Sequence, residues 1–214
     1  MTTLALRLAP PTTRVSAHVI YRVACALAGS LLIAGLAQVA VPLPFTPVPI
    51  TGQTLGVLLV GAAYGPGLGA ASIGLYLLWG VLGAPVFAPN ADGGHDTGLA
   101  VLGAASYTGG YLWGFVLAGG LVGWLATRGW DRSFRSSIGA MLLGEVVIVT
   151  IGVAWLFLAF RSALGEATLE GTLEAGLYPF VIGDMLKILA AAALLPGAWK
   201  LMDRFRPPDD PPED

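Results

Sequence analysis

Between residues 23 and 91 lie 69 consecutive positions without Asp, Glu, Lys or Arg. A soluble domain draws on roughly 25% charged residues for its surface, whereas this chain of 214 residues carries 11%. With 56% hydrophobic residues, too little polar surface remains to coat a water-facing globule. The chain therefore reads as an integral membrane protein. In lipid the backbone must satisfy its own hydrogen bonds, and apolar runs of this length do so as helices. A net charge of -2 gives no basic footprint for nucleic acid. Cys25 is the only cysteine, which excludes an internal disulfide, and its apolar setting suits an inert core thiol.

One crossing needs about 20 residues, so the long run must be divided by its own punctuation. The predicted spans are 23–41, 51–64, 68–83, 107–127, 138–160 and 177–201. "VPLPFTPVPI" closes the first, Gly65-Pro66-Gly67 the second and "GAPVFAPNADGG" the third. Arg7, Arg14 and Arg22 precede the first span, Arg128, Arg132 and Arg135 separate the fourth from the fifth, and Lys200, Arg204 and Arg206 close the sixth. Six crossings place all of these on one side, the cytoplasmic one, and leave only Arg161 outside.

The expected architecture is an all-α membrane protein of six transmembrane helices with both termini cytoplasmic. Residues 1–22 form a cytoplasmic N-terminal segment, 23–201 the membrane domain and 202–214 a disordered, proline-rich and acidic tail. Spans two and three are short for a core of about 30 Å. A re-entrant hairpin is the alternative there, and it leaves the charge parity unchanged. The first apolar run exceeds the h-region of a signal peptide and no A-x-A follows it, so it reads as retained.

Only Glu145, Asp184 and Lys187 are ionisable and well inside the spans. A charge at the bilayer centre costs about 2.5–3.5 kcal/mol on insertion scales, so such groups face a bundle interior or a wet cavity. Asp184 and Lys187 are three residues apart and share a helix face. From a helix start at Leu177 they lie roughly 10 and 15 Å along the axis, within reach of the outer side. They form either a self-neutralising structural pair or a polar cluster in a substrate cavity. A lone buried pair adds little net stability, which favours the cavity. Glu145, about two turns from the cytoplasmic end, is as well explained by a structural hydrogen bond as by transport.

The P-loop, H-E-x-x-H and G-x-S-x-G motifs are absent, so no catalytic residues are assigned and an enzyme is not expected. Gly183-Asp184 matches only half of an intramembrane aspartyl protease motif. His95 in "NADGGHD" lacks spaced partners, so no metal is expected and a solvated outer loop accounts for it. Ala26, Ser30 and Ala34 recur every fourth residue, a spacing that serves either internal packing or a partner helix.

Four segments then occur in a telling order: "PLPFTPVPITGQTLGVLLVG" (42–61), "LGAPVFA" (82–88), "TGGYLWGF" (108–115) and "GDMLK" (183–187). Over about residues 26–195 the chain resembles the BioY family, the biotin-specific S components of energy-coupling factor (ECF) transporters. The resemblance implies the S-component fold, high-affinity biotin binding and uptake across the cytoplasmic membrane, and no cofactor. Its implied partners are membrane lipid, a transmembrane T component and ABC ATPases, with homo-oligomers as an option. Another vitamin, a biotin precursor or solitary action are the alternatives. Ala26, Ser30 and Ala34 would be the T-component contact. Ser106-Tyr107 stands where the family more often has Gly-Pro before "TGGY".

Biotin offers a ureido group, an apolar ring and chain, and a carboxylate. Asp184 can accept from the ureido N–H groups, and Lys187 can donate to the ureido oxygen or meet the carboxylate. Phe87, Tyr76, Trp79 and Tyr111 would supply apolar walls. Asn90, Thr51 and Gln53 would add hydrogen bonds. Pro42, Pro44, Pro47 and Pro49 keep their segment out of a helix, so it reads as a stiff lid or wall.

Overall fold

The computed structural model describes residues 3–9, 15–90, 92–104 and 106–204. Arg14, Arg206 and residues 205–214, where most of the acidic tail was expected, lie outside the described residues. Helix α1 (Leu4–Arg7) is a single turn, and α2 spans Val15–Ala37. Strands β1 (Ala40–Val41) and β2 (Ile50–Thr51) follow, then α3 (Gln53–Val81), a 3-10 turn at Leu99–Leu102 and α4 (Gly109–Ala126). The described residues end with α5 (Phe134–Leu164), α6 (Leu169–Gly176) and α7 (Val181–Arg204). Among the described residues, five helices (α2, α3, α4, α5 and α7) are long and apolar enough to cross a membrane.

Five helices against six predicted spans is explained inside α3. Gly65 adopts φ 80° and ψ 178°, which interrupts the helix, and Pro66 follows without an N–H to donate. The chain reverses there. Gln53 Nε2 donates to the Tyr76 hydroxyl, although 23 residues of straight helix would separate them by roughly 34 Å. A Cβ built on Gly69 would likewise lie 3.0 Å from the Gly61 Cα. Residues 53–64 and 66–81 are therefore two antiparallel arms, and the predicted Gly-Pro-Gly break is a hairpin turn.

The proline segment is the loop of a short ribbon. Ala40 pairs with Thr51 and Val41 with Ile50, antiparallel, and the ladder stops where prolines supply no donor. Thr46 Oγ1 donates to the Ala175 carbonyl at 2.6 Å, which ties the loop to α6. Val48 is buried with Leu156, Ala175 and Phe180. Helix α6 falls between the fifth and sixth predicted spans. Thr168 caps it by accepting from the Gly171 N–H.

The molecule has two distinct ends. Gly65 faces the side chains of Thr3 and Thr127. Asp131 Oδ2 accepts from Trp199 Nε1 at 2.6 Å, and the Arg132 guanidinium lies 4.7 Å from the Trp199 ring centre. The α3 turn, the N-terminal segment, the α4–α5 loop and the end of α7 thus gather at one end. The ribbon, α6 and the start of α7 gather at the other. Between them, α4 is the most enclosed of the long helices, whereas α2 is largely exposed. Its outward surface carries Leu27, Leu31 and Leu32.

The small-residue stripe faces inward. Ser30 is fully buried and donates from Oγ to the Leu27 carbonyl at 2.8 Å, and Ala34 is 9% exposed. Ala26 is half-buried. The neighbouring Gly29 packs so close to Ser72 and Tyr64 that an added Cβ would meet both at 2.9 Å. Ser30 and Ala34 are thus enclosed within the chain beside the close α2–α3 packing at Gly29, and of the three residues expected to meet a partner Ala26 is the more accessible.

Candidate functional site

A cavity of about 840 Å³, its open mouth included, opens at the ribbon end. Asp184 and Lys187 form an ion pair in its lining. Helix α7 begins at Val181 rather than Leu177, so Asp184 stands in its first turn, where the helix dipole favours a negative charge. The Asp184 N–H donates to the Phe180 carbonyl at 2.8 Å. Lys187 Nζ donates to Asp184 Oδ1 at 2.9 Å and to Thr54 Oγ1 at 3.1 Å. Measured from Val181, the pair lies only about 4.5 and 9 Å into the helix, shallower than the sequence suggested.

Most of the predicted residues meet here. Thr51, Gln53, Phe87, Asn90, Tyr111, Asp184 and Lys187 all line the cavity. Pro47, Val48 and Pro49 form one wall, so the stiff segment borders the space directly. Tyr111 lies across from α7 with its hydroxyl donating to the Gly176 carbonyl at 2.7 Å. The Phe87 ring rests over Gly80, where any Cβ would strike it. Thr51 Oγ1 donates to Gln53 Oε1 at 2.9 Å.

Two of the predicted wall residues are elsewhere. Tyr76 is fully buried behind the lining, bonded to Gln53 and edge-on to Phe87 at 5.5 Å between ring centres. It supports two wall residues without bordering the cavity. Trp79 is 36% exposed and outside the lining. The helix face that meets Phe87 is the one carrying Tyr76 and Gly80, so Trp79 is turned off it.

The loop before α4 is held by local bonds. The His95 Nδ1–H donates to the Phe87 carbonyl at 2.8 Å, and Asn90 Nδ2 donates to Asp96 Oδ1 at 3.0 Å. A bridge pairs Pro89 with His95. His95 thus fixes the Phe87 backbone, and no group of three or more metal-ligating side chains gathers among the described residues.

Sequence reasoning passed over several lining residues. Thr54, Thr108, Phe115, Ile148 and Phe180 border the cavity, but hydroxyls and apolar groups in helices carry no distinguishing signal. Glu145 also lines it. Because α5 starts at Phe134, Glu145 lies about 16 Å along the helix rather than near its end. The sequence marks it as a charge in an apolar run and leaves a structural bond and a transport role equally open, because the predicted helix start puts it near the cytoplasmic end.

The arrangement suits a small molecule with an apolar body and a few hydrogen-bonding groups. The family model of the BioY family matches residues 9–204. The "Biotin transporter BioY" of Thermotoga maritima is 32% identical over 154 residues, covering 72% of this chain and 82% of that protein. The "Probable biotin transporter BioY" of Pyrococcus horikoshii is 37% identical over 149 residues, 69% of this chain and 78% of the relative. The crystal structure of an S-component for biotin from an ECF-type ABC transporter superposes with a TM-score of 0.72. It is 24% identical and covers 88% of this chain and 95% of that one, which shows the fold to be shared.

Proposed function

The chain belongs to the BioY family, and from that premise we propose that it binds biotin and serves its uptake as the S component of an ECF-type transporter. The observation that carries this reading is the Asp184–Lys187 pair inside a cavity whose apolar walls are Phe87, Tyr111, Phe115 and prolines. The walls suit the thioether ring and valerate chain, and the pair suits the ureido group. Binding, not catalysis, is the role this lining supports.

Counting the two arms of α3 as separate crossings gives six, with both termini on one side, read here as the cytoplasm. The clustering of the cationic loops opposite the cavity supports this orientation, with the cavity open to the outside of the cell membrane. The energy for uptake would come from partner subunits carrying the ATPase. The outward face of α2, with Ala24 and Ala28 exposed four residues apart, has the small-residue spacing that a membrane partner can pack against.

Titration calorimetry on the purified chain tests the reading. Biotin is expected to bind tightly, Asp184→Asn to weaken it tenfold or more, and desthiobiotin to compete better than lipoate. Folded protein that ignores biotin refutes the proposal, and preference for lipoate reassigns the cargo.

A further inference from the structure

The cavity contains an acidic side chain beside the Asp184–Lys187 pair with one carboxyl oxygen still unpartnered. Glu145 is 7% exposed and lines the same space. Its Oε2 has no hydrogen-bond partner among the described residues. A buried carboxyl oxygen without a donor is costly, and native structures rarely leave one so. The cavity's one ammonium does not satisfy it: Lys187 gives two of its three N–H donors to Asp184 and Thr54, which leaves one for a ligand. Asp96, the remaining lining carboxylate, is held at the exposed rim by Asn90. Glu145 stands beside Asp184, close enough for the two carboxyls to share a hydrogen bond, and within electrostatic reach of Lys187, so one region of the cavity combines two carboxyl groups with one ammonium and a hydroxyl.

A cyclic urea is the complement of that set. Its edge presents an N–H, a carbonyl and a second N–H, so it needs two acceptors flanking a donor. We propose that Glu145 is a ligand-binding residue that accepts one ureido N–H, while Asp184 accepts the other and Lys187 or Thr54 donates to the carbonyl between them. A carboxyl keeps an acceptor oxygen in either protonation state, so the assignment holds for both. The inference rests on the biotin reading above and refines it. It also orients the ligand. Lys187 is already neutralised by Asp184 and neighboured by a second carboxyl, so the valerate carboxylate has no free cation there and is directed towards the mouth.

The test is calorimetry on the full purified chain with biotin, desthiobiotin and the two singly N-methylated biotins. Desthiobiotin keeps the cyclic urea and lacks the thioether ring, whereas each methyl removes one N–H. Glu145→Leu is expected to weaken biotin and desthiobiotin tenfold or more. For one N-methyl isomer the wild type and Glu145→Leu should bind alike, because the bond in question is already missing. Glu145→Ala replaces the leucine variant if that one fails to fold by its melting curve. Wild-type affinity in a folded variant overturns the inference, as does an equal loss for all four ligands, which is the mark of a merely structural residue. A wild type that does not bind biotin refutes the broader reading, whereas binding untouched by Glu145 variants refutes only this one.

Discussion

Lys187 divides its ammonium between an acid on its own helix and a hydroxyl on α3. Asp184 supplies the charge partner, and Thr54 sets the direction of the ammonium from across the cavity. Replacing Thr54→Val keeps the volume and the ion pair but removes that guide. The loss of one net hydrogen bond is worth about 1 kcal/mol, roughly fivefold in Kd. Calorimetry with biotin should show it, and an unchanged Kd would mean that Thr54 plays no part in aiming Lys187. A different acid answers for stability. Asp131 is buried in the α4–α5 loop, where desolvation raises its pKa above the usual carboxylate range, against the opposing effects of Trp199 and Arg132. The folded state therefore holds the proton more tightly than the unfolded chain does. Its contribution is full below the ordinary carboxylate value and is lost as pH rises through the raised one. Melting curves in detergent should show stability falling over that interval, and Asp131→Asn should flatten the fall.

At the scale of elements, the decisive contact is where α4 crosses the α3 turn. A Cβ on Gly123 would lie 2.5 to 2.8 Å from the backbone at Gly65, Pro66 and Gly61, whereas one on Gly120 would meet nothing within 4 Å. Gly123→Ala must push two backbones apart, a cost of about 1–3 kcal/mol. Gly120→Ala should be neutral or slightly stabilising, because alanine is the better helix former. Thermal melting of the two variants in parallel checks the contrast. The same junction shows what the sequence could reveal. Gly65-Pro66-Gly67 marks a break by chemistry alone, and the Asp184–Lys187 pair declares itself by its cost in an apolar run. Trp79 did not, because one helical position separates a cavity wall from a lipid-facing residue and periodicity is blurred when both faces are apolar. Helix α6 escaped for a related reason. Its polar outer segment, with Glu170 and Glu174, has the composition of a loop, and its helical form is completed by a Thr168 cap and by the Thr46 bond from a distant segment. The inward turn of Ser30 and Ala34 was equally hidden, since small-residue spacing is identical for a neighbour within the chain and one outside it.

For the whole molecule, the fold divides labour between its ends: cations and aromatic contacts at one, an open cavity at the other. That polarity gives the two arms of α3 a testable meaning. Residues 53–64 and 66–81 measure about 18 and 24 Å at 1.5 Å per residue, shorter than a bilayer core of about 30 Å. Local thinning or tilt would let them cross, whereas a re-entrant loop would leave the turn inside the membrane. Gly67 is exposed at the turn, Leu99 is exposed near the cavity mouth, and Arg135 lies at the start of α5. On a Cys25→Ala background, which removes the only native thiol, single cysteines at these positions can be probed with a membrane-impermeant maleimide. Leu99→Cys should react in intact cells, and Arg135→Cys only after permeabilisation. If both arms cross, Gly67→Cys follows Arg135→Cys and the count is six. Protection of Gly67→Cys from both sides would instead establish a re-entrant hairpin, and external labelling of Arg135→Cys would invert the orientation argued from the cationic loops.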